Sequence, residues 1–162
     1  MKERSSADTS ATRHYAMFMV NMGLSLVAMY LVMFSMIDGW TDFRNNLNML
    51  YMAVTMAAPM GLVMLATMGS MYSDRPMNIA LGLGLGILFV AAFTATRNQS
   101  FIDDKQFVAS MIPHHSGAIL MCREAQLSDP ELVELCREIV RAQREEIRRM
   151  QAIAARLERP GR

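Results

Sequence analysis

Three stretches of this chain contain no Asp, Glu, Lys or Arg: Tyr15–Ile37, Leu47–Tyr72 and Met77–Thr96, of 23, 26 and 20 residues. A helix rises ~1.5 Å per residue, so each can cross a hydrocarbon core of roughly 30 Å. Polar or charged residues bound every stretch: Arg13-His14, then Asp38, Asp42 and Arg44, then Ser73-Asp74-Arg75-Pro76, then Arg97-Asn98. Tyr15, Trp40, Tyr51 and Tyr72 lie near the ends, where amphipathic rings favour the membrane interface. A water-soluble protein with three buried helices is the competing reading. It fails because the rest of the chain is too short to cover three helices that are apolar on every face. The first stretch is too long for the apolar region of a signal peptide, lacks a small-residue cleavage site and is followed by two more spans, so it reads as a retained anchor.

The expected architecture is therefore all-α. A polar tail (1–14) leads into a three-helix transmembrane domain (15–97, spans about 15–37, 47–72 and 77–96), and a soluble helical domain follows (98–162). Three spans place the N-terminus and the Asp74-Arg75 turn on one side. Lys2, Arg4, Arg13 and Arg75 then stand against Arg44, Arg97 and Lys105 on the other. The excess favours an inner (plasma) membrane protein with a cytoplasmic N-terminus and a periplasmic or external C-terminal domain.

The net charge is +1, which leaves no uncompensated basic patch for phosphate binding and argues against a nucleic-acid partner. No Ser/His/Asp set, Gly-rich phosphate loop or pair of carboxylates in an apolar setting appears, so no enzymatic activity is expected.

Eighteen of the 162 residues are Met, and they are patterned. Met49, Met52, Met56, Met60, Met64, Met68 and Met71 recur every three or four residues and fall on one helical face. Met19, Met22, Met29, Met33 and Met36 do the same in the first span. The loop between these spans is short, so the two rows belong to antiparallel neighbours and can meet. Met is a flexible packing residue, and packing is the simpler account of one or two of them. In a membrane, however, Leu packs as well and close helix contacts use Gly, Ala or Ser. Thioether sulfur is a neutral, soft ligand for Cu(I) or Ag(I), and it holds a monovalent cation in the bilayer without a charged side chain. Pro59 interrupts the second row and is expected to bend the helix, freeing a carbonyl near Thr55; this either opens a local cavity or is only a kink. Gly82 and Gly86 on the third span form a small-xxx-small face for close helix approach. This layout is similar to that of the eukaryotic high-affinity copper transporters, with Met56/Met60/Met64 in place of their Met-x-x-x-Met element and Gly82/Gly86 in place of their Gly-x-x-x-Gly.

From Phe101 the pattern becomes amphipathic. Phe107, Met111, His114, Ala118, Met121 and Ala125 repeat at helical spacing and are expected to form the apolar seam of one helix. Leu132, Leu135/Cys136, Ile139, Gln143, Ile147, Met150, Ile153 and Leu157 form that of a second. Ser128 or Asp129 caps the second helix with Pro130 at its first position, and Ser100 or Asp103 caps the first. Arg137, Arg141, Arg144, Glu145, Arg148 and Arg149 read as a solvated face with local ion pairs. One hairpin leaves its seam half covered, so a second copy completing a four-helix bundle, or another protein surface, is expected to cover it.

Folding the hairpin about residue 129 brings Met150 opposite positions near 108–111. Met111, His114, His115 and Met150 can then converge as two thioethers and two imidazoles, a donor set suited to copper. Pro113 is expected to distort the helix at the His pair. Cys122 and Cys136 flank the turn symmetrically. An external domain would pair them in a disulfide, whereas a cytoplasmic one would leave thiols or Cu(I) ligands.

The run Phe107-x-x-x-Met111-Ile-Pro113-His114-His115-Ser-Gly-Ala118-Ile119, with Glu146 and Met150 beyond the turn, resembles the ferritin-like domain-of-unknown-function family 305, over about Phe101–Leu157. Met-rich forms with three preceding spans are similar to the rest of the chain. The resemblance implies a helical hairpin and, from periplasmic members that bind copper, a role in copper binding or tolerance, with Met111, His114, His115 and Met150 as ligands. Other members carry two hairpins that form a bundle within one chain. This chain carries one, which makes a ferritin-like half-bundle completed in a homo-oligomer the expectation. The function expected from all of this is a multi-pass membrane protein that binds Cu(I), or Ag(I), for sequestration, delivery or transport, with the copper ion and the lipid bilayer as its partners. The alternative is a membrane-anchored structural or assembly module whose Met rows only pack helices.

Overall fold

Helix signals and charge gaps together dictate the element order. The computed structural model describes residues 2–159, with side chains from residue 12 onward. It runs α1 Lys2–Val32, two 3-10 turns at Met33–Met36 and Trp40–Asp42, α2 Leu47–Thr67, α3 Arg75–Asn98, α4 Asp104–Glu124 and α5 Pro130–Leu157. No strand occurs among the described residues, and the all-α expectation holds. Thr12–Met36, Leu47–Thr67 and Arg75–Asn98 are long and apolar enough to cross a membrane. Lys2 and Arg4, which entered the orientation count, have side chains outside the described residues.

Helix boundaries follow the local chemistry. Asp74 accepts a hydrogen bond from the Met77 amide, with Pro76 in the first turn of α3. Asp103, and not Ser100, caps α4 through the Gln106 amide. Asp129 caps α5 through the Leu132 amide, with Pro130 at the first position. α2 ends at Thr67, short of the expected Tyr72, and Met68–Met71 form a turn around Gly69-Ser70. Pro59 and Pro113 both sit inside helices that continue past them.

The chain divides into two compact units, Met1–Leu31 with Leu50–Ser100 and Val32–Met49 with Phe101–Arg162. In the first, α2 buries a face of small residues, Ala53, Ala57, Ala58 and Gly61. A Cβ on Gly61 would lie 2.9 Å from Leu85 Cδ1 and 3.1 Å from the Met22 sulfur, so the three spans meet there at close range. At one end of this unit Tyr15 donates to Asn78 Oδ1 (2.8 Å), Asn78 donates to the Tyr72 carbonyl (2.8 Å), and the Tyr15 and Tyr72 rings lie 5.4 Å apart. These bonds put the start of the first span beside the Asp74 turn, as three crossings require.

The second unit packs α4 on α5 around Val108, Ile112, Ile119 and Ile147, with Val140, Met150 and Ala154 against them. The segment joining the first two spans belongs to this unit, as a strap along α4. Asp38 donates its amide to Ser116 Oγ (2.7 Å), and that fully buried hydroxyl donates to Asp42 Oδ2 (2.6 Å). Gln106 accepts from the Leu47 amide and Ser110 accepts from Asn48. Asp38 Oδ1 is buried and takes Arg123 as its ion-pair partner. The Arg123 pKa is raised by its hydrogen bond to Glu124, with the charges of Asp38 and Glu124 adding to the effect. A Cβ on Gly117 would come within 3.2 Å of the Met36 carbonyl, so a side chain at this point of α4 would press on the strap. Ser116→Ala removes the hydroxyl partner of the half-buried Asp42 carboxylate and of the Asp38 amide. It should cost about 1–3 kcal/mol, read as a lower melting temperature and faster amide exchange at Asp38.

Candidate metal site

Two groups of donors were expected, one in the hairpin and one in the membrane spans. In the hairpin the seam of α4 is shifted by one residue from expectation. Val108, Ile112, His115, Ser116 and Ile119 are buried, while Phe107 and Met121 are 51% and 60% exposed. His114, expected on the seam, is exposed, and His115 is the buried member of the pair. The reason is that α4 is covered by α5 and by the strap, so the stripe that faces α5 is not the one that periodicity alone selects. On α5, Ile147 is buried and Cys136, Ile139, Gln143, Met150 and Leu157 are half-buried as expected, whereas Leu132, Leu135 and Ile153 face outward.

Both His115 ring nitrogens are occupied. Nδ1 lies 2.9 Å from the Met111 carbonyl oxygen and Nε2 lies 2.8 Å from Glu146 Oε2. A neutral imidazole carries one N–H, so satisfying both acceptors takes a proton on each nitrogen or one on Glu146. Nδ1 bonded to a backbone carbonyl is also the arrangement that fixes an imidazole for coordination through Nε2. A metal reaching His115 must therefore displace Glu146, a partner that reading the sequence missed. Its signal was adjacency: Glu146 precedes the buried Ile147 on α5. The His114 and His115 rings are 6.1 Å apart, between centroids. Met111 and Met150 are half-buried, and Met150 packs on the Val108/Ile112 core. Among the described residues no three His, Cys, Asp or Glu side chains are grouped to hold a metal ion. Cys122 and Cys136 form a disulfide with Cα atoms 5.3 Å apart, so they are not free thiolate ligands.

In the membrane unit the Met row of α2 is not the packing face. Met52 and Met56 are 47% and 45% exposed, Met49, Met60 and Met64 are half-buried, and Ala53, Ala57, Ala58 and Gly61 make the close contacts. From α1, Met22 reaches Gly61 on that small-residue face. Met19 and Met36 are exposed. Beside α2 lies an apolar cavity of about 360 Å3, lined among others by Phe18, Met19, Met22, Ala57, Ala58 and Leu85. The Thr55 hydroxyl bonds back to the Tyr51 carbonyl at 2.8 Å. Gly82 has Leu62 at 3.9 Å from a built Cβ, whereas Gly86 faces open space, so this glycine pair is only half used within the chain.

Among known proteins, the family described as a domain of unknown function (DUF305) matches residues 89–154, from the last part of α3 through most of α5. An uncharacterized protein of Acanthamoeba polyphaga mimivirus, L153, is 34% identical over 114 residues, covering 69% of this chain and 73% of that protein. No solved structure matches the chain.

Proposed function

We propose that this chain, which belongs to the DUF305 family, is a multi-pass membrane protein that binds Cu(I), with Ag(I) as its chemical analogue, for sequestration, delivery or transport in copper homeostasis. One observation carries the reading. Ala and Gly make the close helix contacts of α2, and the Met row lies beside them with Met52 and Met56 exposed. Packing within the chain therefore does not account for the row, and uncharged sulfur turned outward in a bilayer is a coordinating surface for a soft monovalent ion. Met56, Met60 and Met64 are its central donors. In the hairpin, Met111, His114, His115 and Met150 form a second station, entered when His115 Nε2 exchanges Glu146 for metal.

In this reading the hairpin lies on the external side. The Cys122–Cys136 disulfide supports this, because disulfides persist in oxidising compartments, and the lysine and arginine excess at the N-terminal side agrees. A homo-oligomer completes the half-bundle and turns the Met rows of several copies toward one another. The competing reading, an anchored scaffold that binds no metal, is favoured by the engagement of His115 with Glu146 and the Met111 carbonyl.

A Cu(I) competition titration on the full chain in detergent separates the two. The copper reading expects uptake by the wild type, and His114→Ala/His115→Ala should remove one class of site while the membrane thioethers still bind. No uptake by the wild type selects the scaffold.

A further inference from the structure

We infer that α5 is a self-complementary interface, onto which a second copy of this chain docks antiparallel about a two-fold centred between Gln143 and Arg144. The inference rests on the homo-oligomer part of the reading above and not on copper. Along the flank of its core face, α5 carries an apolar row at steps of 3, 7 and 11 residues, each close to a whole number of turns: Leu132, Leu135, Ala142 and Ile153. The chain leaves it open, with Leu132, Leu135 and Ile153 at 43%, 48% and 38% exposure. Four charges flank this row: Glu131, Glu138, Arg149 and Arg156. All are exposed, and none forms an ion pair among the described residues, although Arg137 and Arg148 hold Glu134 and Glu145 one turn away on their own helix.

The order of these charges matches a two-fold. Glu131 and Glu138 are seven residues apart, as are Arg149 and Arg156, and the pairs 131/156 and 138/149 share one midpoint. An antiparallel copy therefore sets Glu131 against the second copy's Arg156 and Glu138 against the second copy's Arg149, with both pairs repeated by symmetry. The second copy's Ile153 then lies one residue, ~1.5 Å of helical rise, from the position opposite Leu135. A parallel copy would place like charges together and leave Leu135 and Ile153 apart. An isologous contact of this kind closes on itself, giving a dimer and no open filament.

The test uses the full chain in nanodiscs with Ala142→Cys as its free thiol, close to the two-fold, and a short bis-maleimide. This protein should cross-link. Glu131→Arg/Glu138→Arg and Arg149→Glu/Arg156→Glu, each made in that background, present four like charges along the edge. Each alone should lose cross-linking by on the order of tenfold, and an equimolar mixture should regain it as a heterodimer. Rescue by mixing also controls for folding, since a misfolded chain gains nothing from its complement. Cross-linking that ignores the charge reversals, or a mixture that stays uncoupled, overturns the interface. A chain that is oligomeric by mass but does not cross-link at position 142 overturns the interface and spares the homo-oligomer; a monomer overturns both.

Discussion

Replacing Met52, Met56, Met60 and Met64 together by leucine should leave a folded membrane protein that has lost most of its bound Cu(I). Met and Leu are close in volume, and such exchanges usually cost less than about 1.5 kcal/mol each even in a packed core. Here the cost is smaller, because Met52 and Met56 are not in the core: the contacts of α2 are made by Ala53, Ala57, Ala58 and Gly61. The same substitution removes every soft donor from the centre of the span, and leucine offers none in return. Retained helicity with most of the bound copper lost is therefore the expected pair of results. Copper binding unchanged by the exchange would assign the row to contacts with lipid or with other helices. Loss of folding would mean that the row packs after all, against a second copy.

The second large effect lies in the hairpin. Cys122 and Cys136 are 14 residues apart in sequence and close the α4–α5 turn. A loop of this length carries about 3 kcal/mol of cross-link stabilisation in the chain-entropy account. The apolar core it supports is small, consisting of Val108, Ile112, Ile119 and Ile147 with three half-buried neighbours. Reduction, or Cys122→Ser/Cys136→Ser, should lower the melting temperature of the hairpin and increase amide exchange along α4 and α5, while the spans keep their helicity. A hairpin whose exchange is unchanged by reduction would show that α5 is held chiefly by other contacts, the second copy first among them.

The three apolar helices were legible because charge is absent over lengths sufficient to cross a bilayer, and the helix starts because Asp74, Asp103 and Asp129 stand where caps are needed. The seam of α4 was not legible. Phe107/Met111/His114/Ala118/Met121 and Val108/Ile112/His115/Ile119 are two adjacent apolar rows, and periodicity cannot choose between them. The choice is made by the strap, which covers the side of α4 carrying Ser116 and Gly117. The strap was itself hidden, because polar atoms hold it and the Asp38–Ser116 bond spans 78 residues. For the same reason Glu146, quoted only as part of the family motif, gave no sign of being the partner of the buried histidine. The Met row of the second span stays helical only from Met49 to Met64, since Met68 and Met71 fall in the turn beyond α2, and Met33 and Met36 lie in a 3-10 turn beyond α1. That small residues beside the Met rows would take over the packing is a property of the assembled bundle, which one helix considered alone does not reveal.

Sulfur coordination of copper within the membrane is the centre of this account, and X-ray absorption at the copper edge on the Cu(I)-loaded full chain, in nanodiscs, tests it most directly. The expected spectrum is dominated by thioether sulfur, and it should stay so in His114→Ala/His115→Ala. A first shell of nitrogen or oxygen alone, or a chain that retains no copper to measure, contradicts it.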